Sequence, residues 1–188
     1  MKPYLQAATV ALLLLVGLRG CGVQGFKVPS GSMLPTLQVG DHILASRWSY
    51  GVPAPFSGAW LWHVGGPQPG DVVVLERKAE PGSYFVKRVA AIAGEIVEIV
   101  AGELVVDGHR RDLVRQRLPA STDRNIRPVR VPPGHVFVVG DNADQSIDSR
   151  DWGPVDLSGI KGRVFLIYWS QTKSGGTVRW ERLFAPVP

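Results

Sequence analysis

Two serines in a tight turn are the first residues of the chain that could supply a nucleophile. Residues 26–41 read FKVPSGSMLPTLQVGD, with Gly31 between Ser30 and Ser32. Because glycine lets the backbone turn sharply, a serine hydroxyl can be exposed while nearby main-chain N–H groups point toward one spot, as an oxyanion site requires. An ordinary loop rich in Pro, Ser and Gly has the same composition, so this segment indicates catalysis only if the chain also supplies a base.

A lysine that could act as the base lies in the segment SYFVKRVAAIAGE, residues 83–95. The pattern predicts a β-strand in which Phe85, Lys87 and Val89 share one face and Arg88 lies on the other. A lysine of ordinary pKa is neutral in roughly one molecule in a thousand near pH 7.4, but burial can lower that pKa by about 3 to 5 units. Arg88 is excluded because a guanidinium does not deprotonate in a protein. The alternative is an edge strand whose lysine and arginine both reach solvent.

A polar turn follows a strand-like run in HVFVVGDNADQSIDSRDWG, residues 135–153. Its side chains could hold and orient a base. Four of its residues also crowd like the ligands of a calcium site: Asp141, Asn142, Asp144 and Asp148. An EF-hand-type loop needs Asp at alternating positions, a central Gly and a terminal Glu, which are absent here. We therefore favour a supporting role for the turn, and we predict neither a metal nor a cofactor.

The three segments together are similar to those of type I signal peptidases. The serine segment carries P-S-G-S-M-L-P-T-L-x-x-G-D, the lysine segment F-V-K-R, and the polar turn G-D-N-x-x-x-S-x-D-S-R. The resemblance covers nearly the whole chain after Gly25. It implies that Ser32 is the nucleophile, that Lys87 is the general base, and that Ser30 and the main-chain amide of Ser32 bind the oxyanion.

The same resemblance assigns the polar turn to the support of the lysine. By position, Ser146 would hydrogen-bond the Lys87 amine, and Asp148 and Arg150 would form an ion pair beside it. The family usually has Asn where this chain has Gln145. This departure affects a local contact and leaves the implied chemistry intact. A Ser/His/Asp triad is the weaker option, because the four histidines stand in no comparable motif: His42, His63, His109 and His135.

The resemblance implies a membrane-bound serine endopeptidase, signal peptidase I, that removes signal peptides from exported proteins by cleavage after small residues in an Ala-X-Ala-like pattern. The substrate is expected to bind as an extended strand, with small apolar pockets beside the catalytic groups. Candidate pocket residues are Phe26, Val28, Pro29, Met33, Leu37, Phe85 and Val86. Two alternatives stay open: a related serine/lysine peptidase maturing a specialised substrate such as a conjugative pilin, and a catalytically silent, membrane-anchored binding protein.

Short strands must position these residues, because strand-like runs recur along the chain with Gly or Pro between most of them. They lie at 43–45, 72–75, 85–89, 96–99, 104–106, 136–139 and 164–169. The fold class is predicted as mostly β, and the resemblance implies a signal-peptidase/LexA-like domain of short antiparallel sheets. A hairpin is expected around Ala101-Gly102, and residues 110–130 read as a polar excursion away from the site.

The start of the chain is predicted to be a membrane segment. Residues 4–18, YLQAATVALLLLVGL, carry no charge. Spanning a bilayer takes about 20 residues, so the segment would have to extend to residue 23 with Arg19 reaching the headgroups. A cleaved signal peptide is one alternative, and lipoprotein processing at Cys21 is another, although Arg19 argues against the latter.

These predictions divide the chain into a short flank at 1–3, a transmembrane signal anchor at 4–23 and an extracytoplasmic β peptidase domain at 24–188. A small variable subdomain is expected within 95–135. The expected location is the bacterial cytoplasmic membrane, with a single pass. An aromatic segment is expected either to dip into the membrane interface or to join the core: Trp48, Tyr50, Phe56, Trp60 and Trp62.

Composition narrows the class of partner. The formal charge of +5 is spread thinly, with only residues 109–117 dense in Arg, so we predict no nucleic acid and favour attraction to a membrane surface. The single cysteine excludes an intrachain disulfide. The expected partners are the signal peptides of secretory precursors and membrane lipid, and the expected state is a monomer.

Overall fold

A computed structural model of the chain describes residues 22–53, 60–63, 65–100, 103–112, 126–172 and 176–188, with only the backbone described at 52–53 and 60–63. The strands of this part of the chain are β1 (Val23–Lys27), β2 (Asp41–Ser46), β3 (Gly51–Pro53), β4 (Trp60–His63), β5 (Val72–Glu76), β6 (Tyr84–Ile92), β7 (Ile96–Val100), β8 (Glu103–Val106), β9 (His109–Arg110), β10 (Ile126–Arg130), β11 (His135–Val139), β12 (Val155–Asp156), β13 (Ile160–Ser170) and β14 (Ala185–Pro186). One short α-helix, α1, spans Ser149–Trp152, and 3-10 helices span Arg47–Tyr50, Ala143–Gln145, Leu157–Gly159 and Trp180–Arg182. The prediction of a mostly β fold is confirmed, and each of the seven predicted strands lies within an observed one.

The main sheet carries the segments with catalytic residue types. Its strand order is β1-β2-β13-β5-β6-β11-β12, with β14 paired to β13, and every pairing is antiparallel. The serine segment connects β1 to β2, the lysine lies in β6, and the polar turn follows β11. β6 and β11 are direct neighbours. The fold therefore brings the lysine and the polar turn together across one strand pair.

The interior of β6 is almost continuously buried, from Val86 through Ala91. The strand is paired on both edges and packed on both faces. Val86 belongs to one apolar cluster, whereas Phe85 and Val89 pack in another. This is the alternation predicted for the strand, and it places Lys87 well inside the sheet instead of on an edge.

A second sheet falls within residues 95–135, with the order β10-β7-β8-β9. The predicted hairpin is present, because β7 and β8 pair antiparallel from Val97↔Val106 to Val100↔Glu103. The expectation that 110–130 is only an excursion needs correction. Its last five residues form β10, which pairs with β7, while 113–125 lie outside the described residues.

The aromatic segment is also more ordered than a loop. β3 and β4 pair antiparallel, with Val52 opposite Trp62, as bulky aromatic residues favour. Trp48 is 43 % exposed, whereas Tyr50 is buried and donates its hydroxyl hydrogen bond to Asp71 Oδ2 at 3.0 Å. Burial raises the pKa of Tyr50. The segment therefore divides between surface and core, and Phe56 lies outside the described residues.

Most of the predicted anchor, residues 4–21, lies outside the described residues. Val23, its last residue, begins β1 and is opposite Ser46 of β2. In the portion of the chain described above, none of the helices has the length and apolar character that crossing a bilayer requires.

Candidate active site

The loop between β1 and β2 is tied together where it leaves and rejoins the sheet. Val28 N donates to Asp41 O at 2.8 Å, and Gly40 N donates to Val28 O at 3.0 Å. Two apolar side chains of the loop, Met33 and Leu37, are fully buried in the core. Burial of these side chains fixes the turn that carries the serines.

Ser32 is nearly buried, with 8 % of its surface exposed, and Ser30 Oγ donates to its Oγ at 3.4 Å. The carbonyl groups around it are held by Asn142, whose N donates to Ser32 O at 3.0 Å and whose Nδ2 donates to Gly31 O at 2.9 Å. In a trans peptide the C=O and the following N–H point in opposite directions. The N–H of Ser32 is therefore directed away from Asn142.

Lys87 is 3 % exposed, and its Nζ donates to Ser146 Oγ at 2.8 Å. Burial lowers the pKa of Lys87 from the ordinary 10.5 to about 8, although the charge of Asp148 acts in the opposite direction. At pH 7.4 about one such side chain in five would be neutral. The lysine is thus a usable base near neutral pH, as its burial led us to expect.

The hydrogen bonds of Ser146 have a defined direction. Ser146 Oγ lies 2.5 Å from Asp148 Oδ2, and an ionised carboxylate can only accept, so the serine donates its single hydrogen to Asp148. Ser146 can then only accept from Lys87. When Lys87 is neutral, it uses one N–H on Ser146 and keeps a lone pair for another proton.

Asp148 stays ionised because it is heavily hydrogen-bonded. Arg150 donates to it from Nε at 2.7 Å and from Nη2 at 2.6 Å, and Gly140 N donates at 2.8 Å. Burial alone would raise the pKa of Asp148, but the hydrogen bonds and charge of Arg150 hold that pKa below its ordinary value. The same carboxylate caps the N-terminus of α1 in a capping box with Asp151.

Gly140 lies where three parts of the site meet. A Cβ at this position would lie 2.3 Å from Ser146 Oγ and 2.5 Å from Ser32 O. No side chain fits there without displacing one or the other. Gly140 is a residue that the sequence alone did not single out, since the need for glycine comes in part from Ser32, in a distant segment.

Arg88, on the other face of β6, has a separate structural role. Its Nε and Nη2 donate to the two carboxylate oxygens of Asp141 at 2.8 and 2.7 Å, and Thr36 Oγ1 donates to the same Asp141 at 2.5 Å. Its Nη1 donates to Gly70 O and to Pro188 O. The ion pair of Arg88 and Asp141 thus joins the polar turn to the serine loop, through Thr36, and to Pro188.

One cavity of about 340 Å³ is lined by both Ser32 and Lys87. The other lining residues are Val28, Pro29, Ser30, Met33, Tyr84, Phe85, Val86, Gln145 and Ile147. Five of the seven predicted pocket residues are among them. Leu37 is instead fully buried in the core, and Phe26 packs its ring against Tyr84 at 5.2 Å between centroids.

Sequence reasoning missed three lining residues: Tyr84, Gln145 and Ile147. An apolar isoleucine inside an otherwise polar turn was a signal that could have identified Ile147. Of the histidines whose side chains the structure describes, none lines this cavity, and two acidic residues of the turn, Asp141 and Asp148, are paired with arginines.

Comparison with known proteins identifies the family of the chain. Residues 1–169 match the family model described as signal peptidase, peptidase S26. Signal peptidase I of Pseudomonas aeruginosa is 32% identical over 211 residues, covering 92% of this chain and 74% of that protein. A probable chloroplastic thylakoidal processing peptidase 2 of Arabidopsis thaliana is 33% identical over 184 residues, covering 97% of this chain and 47% of that protein.

Among solved structures, a signal peptidase I from Enterococcus faecalis is 26% identical, covers 52% of this chain and 95% of that chain, and has a TM-score of 0.41. The match to the family model extends over most of the sequence, and the relative in Pseudomonas aeruginosa is similar along most of both chains. The chain therefore belongs to the signal peptidase family, peptidase S26.

Proposed function

We propose that this protein removes signal peptides from exported proteins, with Ser32 as nucleophile and Lys87 as general base. The observation that carries the proposal is the position of Lys87: its amine is buried, bonded to Ser146, and lines the same cavity as Ser32. The similarity to proteins named signal peptidase I supports the choice of substrate.

In the acylation half of the reaction, Ser32 Oγ attacks the carbonyl carbon of the scissile peptide bond while neutral Lys87 takes the hydroxyl proton. The oxyanion accepts hydrogen bonds from the N–H of Ser32 and the hydroxyl of Ser30. Collapse of the tetrahedral intermediate breaks the C–N bond. The Lys87 ammonium then gives its proton to the departing amine, which leaves an ester on Ser32.

In the deacylation half, Lys87 is neutral again and takes a proton from water as the water attacks the ester. Collapse returns the proton to Ser32 Oγ and releases the new carboxyl end of the signal peptide. The small apolar wall formed by Val28, Pro29, Met33 and Val86 suits small side chains before the cleaved bond. This wall supports the expectation of cleavage after small residues in an Ala-X-Ala-like pattern.

We also infer a membrane location, with residues 4–23 as a single-pass signal anchor. Val23, the last residue of this range, is also the first residue of β1. The signal-peptidase/LexA-like domain would lie on the extracytoplasmic face of a bacterial cytoplasmic membrane, as a monomer. Trp48 supports the inference, because its partly exposed ring lies against Gly22, at the end of the predicted anchor. An exposed tryptophan beside the end of a membrane segment is typical of a membrane interface.

Processing of a secretory precursor by the purified full chain tests the proposal. Ser32→Ala and Lys87→Arg should each abolish cleavage, because the first removes the nucleophile and the second places a permanent cation where a base is needed. Ser158→Ala, which removes a hydroxyl far from the cavity, is the matched control and should cleave normally. Cleavage at the normal rate by either site variant would disprove the assigned roles.

A further inference from the structure

Ile147 is the most conspicuous apolar side chain near the cavity, with 71 % of its surface exposed. Its two neighbours, Ser146 and Asp148, are 1 % and 0 % exposed and are joined by a 2.5 Å hydrogen bond. The backbone on both sides is therefore anchored, and Ile147 is held outward. It lines the cavity with Ser32 and Lys87, which identifies it as a surface for something that enters there.

Gln145 lies two residues earlier and lines the same cavity. Its Oε1 accepts from Asn142 Nδ2 at 3.3 Å. With its oxygen directed to Asn142, the side-chain NH₂ group is the part left to donate to a ligand. Gln145 and Ile147 thus offer one hydrogen-bond donor and one apolar contact, on either side of Ser146.

The chemistry of the reaction tells which part of a substrate passes this point. The general base gives its proton to the departing amine, so that amine must come within reach of Lys87 Nζ. Lys87 Nζ donates a hydrogen bond to Ser146, which lies between Gln145 and Ile147 in the sequence. The direction of the Ser32 peptide agrees with this placement of the departing amine. Its N–H, the oxyanion donor, points away from Asn142 and hence away from Gln145.

We propose that Gln145 and Ile147 form a binding site for the first residues after the cleaved bond, the start of the mature protein. Ile147 contacts a side chain of this segment, and the Gln145 amide donates to one of its main-chain carbonyls. The proposal rests on the assignment of Ser32 and Lys87 as the catalytic pair. The site selects among precursors by the sequence that follows the signal peptide.

Two substrates with identical residues before the cleaved bond test this site in the full chain. One continues with four residues of a mature protein, and the other ends in a small fluorogenic amine. Ile147→Ala and Gln145→Met should lower kcat/KM at least tenfold on the long substrate and leave the short one within twofold. A change in the Lys87 amine would act on both substrates equally, so their ratio reports the new site alone.

Substitution of Ile147 by residues of opposite charge gives a sharper test. Ile147→Lys should favour a long substrate with Glu after the cleaved bond over one with Lys at least tenfold, and Ile147→Glu should reverse this preference. Val100 is the matched control, because it is a 52 % exposed apolar residue of the second sheet that does not line the cavity. Val100→Lys and Val100→Glu should leave the preference unchanged.

Gln145→Glu separates substrate binding from a structural role. Glutamate keeps an acceptor for Asn142 and loses the donor, so a structural role would leave the long substrate unaffected, and our proposal predicts a loss. Equal effects on both substrates would overturn the site. Ser32→Ala is run on both substrates, because residual cleavage there would refute the catalytic pair itself, a failure distinct from loss of the site.

Discussion

The Nζ atom of Lys87 lies 2.8 Å from the Oγ atom of Ser146, and Ser146 can only accept in this hydrogen bond because Asp148 takes its hydrogen. The contact orients the lysine amine without competing for its lone pair. Ser146→Ala should therefore lower kcat about ten- to a hundredfold, the equivalent of one buried hydrogen bond to a charged group, with little change in KM. Steady-state kinetics on a peptide substrate measure the split, and Ser146→Thr should restore part of the activity. A selective rise in KM would argue against an orienting role.

The pKa of Lys87 predicts the pH dependence of cleavage. Because burial lowers that pKa to about 8, kcat/KM should rise with pH through an inflection near 8 as the amine loses its proton. A pH profile on the short substrate measures it without the complication of precursor folding. An inflection near 6.5 would point to histidine instead.

The same buried amine should make the protein less stable than it could be. The folded-state pKa of about 8 lies below the ordinary 10.5, so between these pH values the folded chain binds fewer protons and its stability rises with pH. Below pH 8 the folded state carries the full free-energy cost of a buried, protonated Lys87 amine. Lys87→Met should thus raise the free energy of unfolding by about 3 kcal/mol at pH 7, and by much less at pH 10.5. Urea unfolding at the two pH values checks the sign, and an equal gain at both would exclude protonation as its cause.

Substitution of Gly140 tests how closely the serine loop and the polar turn meet. Gly140→Ala would place a Cβ 2.3 Å from Ser146 Oγ and 2.5 Å from Ser32 O, so the nucleophile and the lysine support must separate. We expect kcat/KM to fall at least a hundredfold on the short substrate, since small displacements at a catalytic centre are costly. Gly66→Ala is the control, because a Cβ there meets nothing within 4 Å. Full activity of Gly140→Ala would mean that the site tolerates a displacement this large.

Arg182 connects the end of the sequence to the serine loop, beyond the residues matched by the family model. Its Nη2 donates to Thr36 O at 3.0 Å and to the fully buried Asp41 at 2.6 Å. Arg182→Met would leave Asp41 without its cation and should lower the free energy of unfolding by about 3 kcal/mol. Lys78→Met, which breaks an exposed ion pair with Asp156, should change it by less than about 1 kcal/mol. Thermal or urea unfolding of both variants measures the two changes in stability, and equal changes would contradict this role of Arg182.

The strands that hold the site could be predicted because their signals are local. In β6 the alternation of Phe85, Val86 and Val89 between two clusters follows from strand geometry, and it correctly indicated a buried Lys87. The polar turn was predicted by its motif, and the hydrogen bond from Lys87 to Ser146 is present in the structure.

What could not be predicted depends on contacts between distant segments. Leu37 looked like a pocket residue because it follows the serines closely, but the loop folds it into the core. Arg88 and Asp141 are 53 positions apart, and no local pattern pairs them. β10 was missed because its alternation is weak and includes a proline, and its place is set by the partner strand β7.

Asp148 unites two requirements in one carboxylate, the cap of α1 and the acceptor for Ser146. A substitution at this position would therefore remove the helix cap and the partner of Ser146 at the same time. Gln145, three residues away, is exposed and makes a longer hydrogen bond, of 3.3 Å, with Asn142. In the proposed site, a substitution at Gln145 could thus change the choice of precursor while Asp148 keeps both of its contacts.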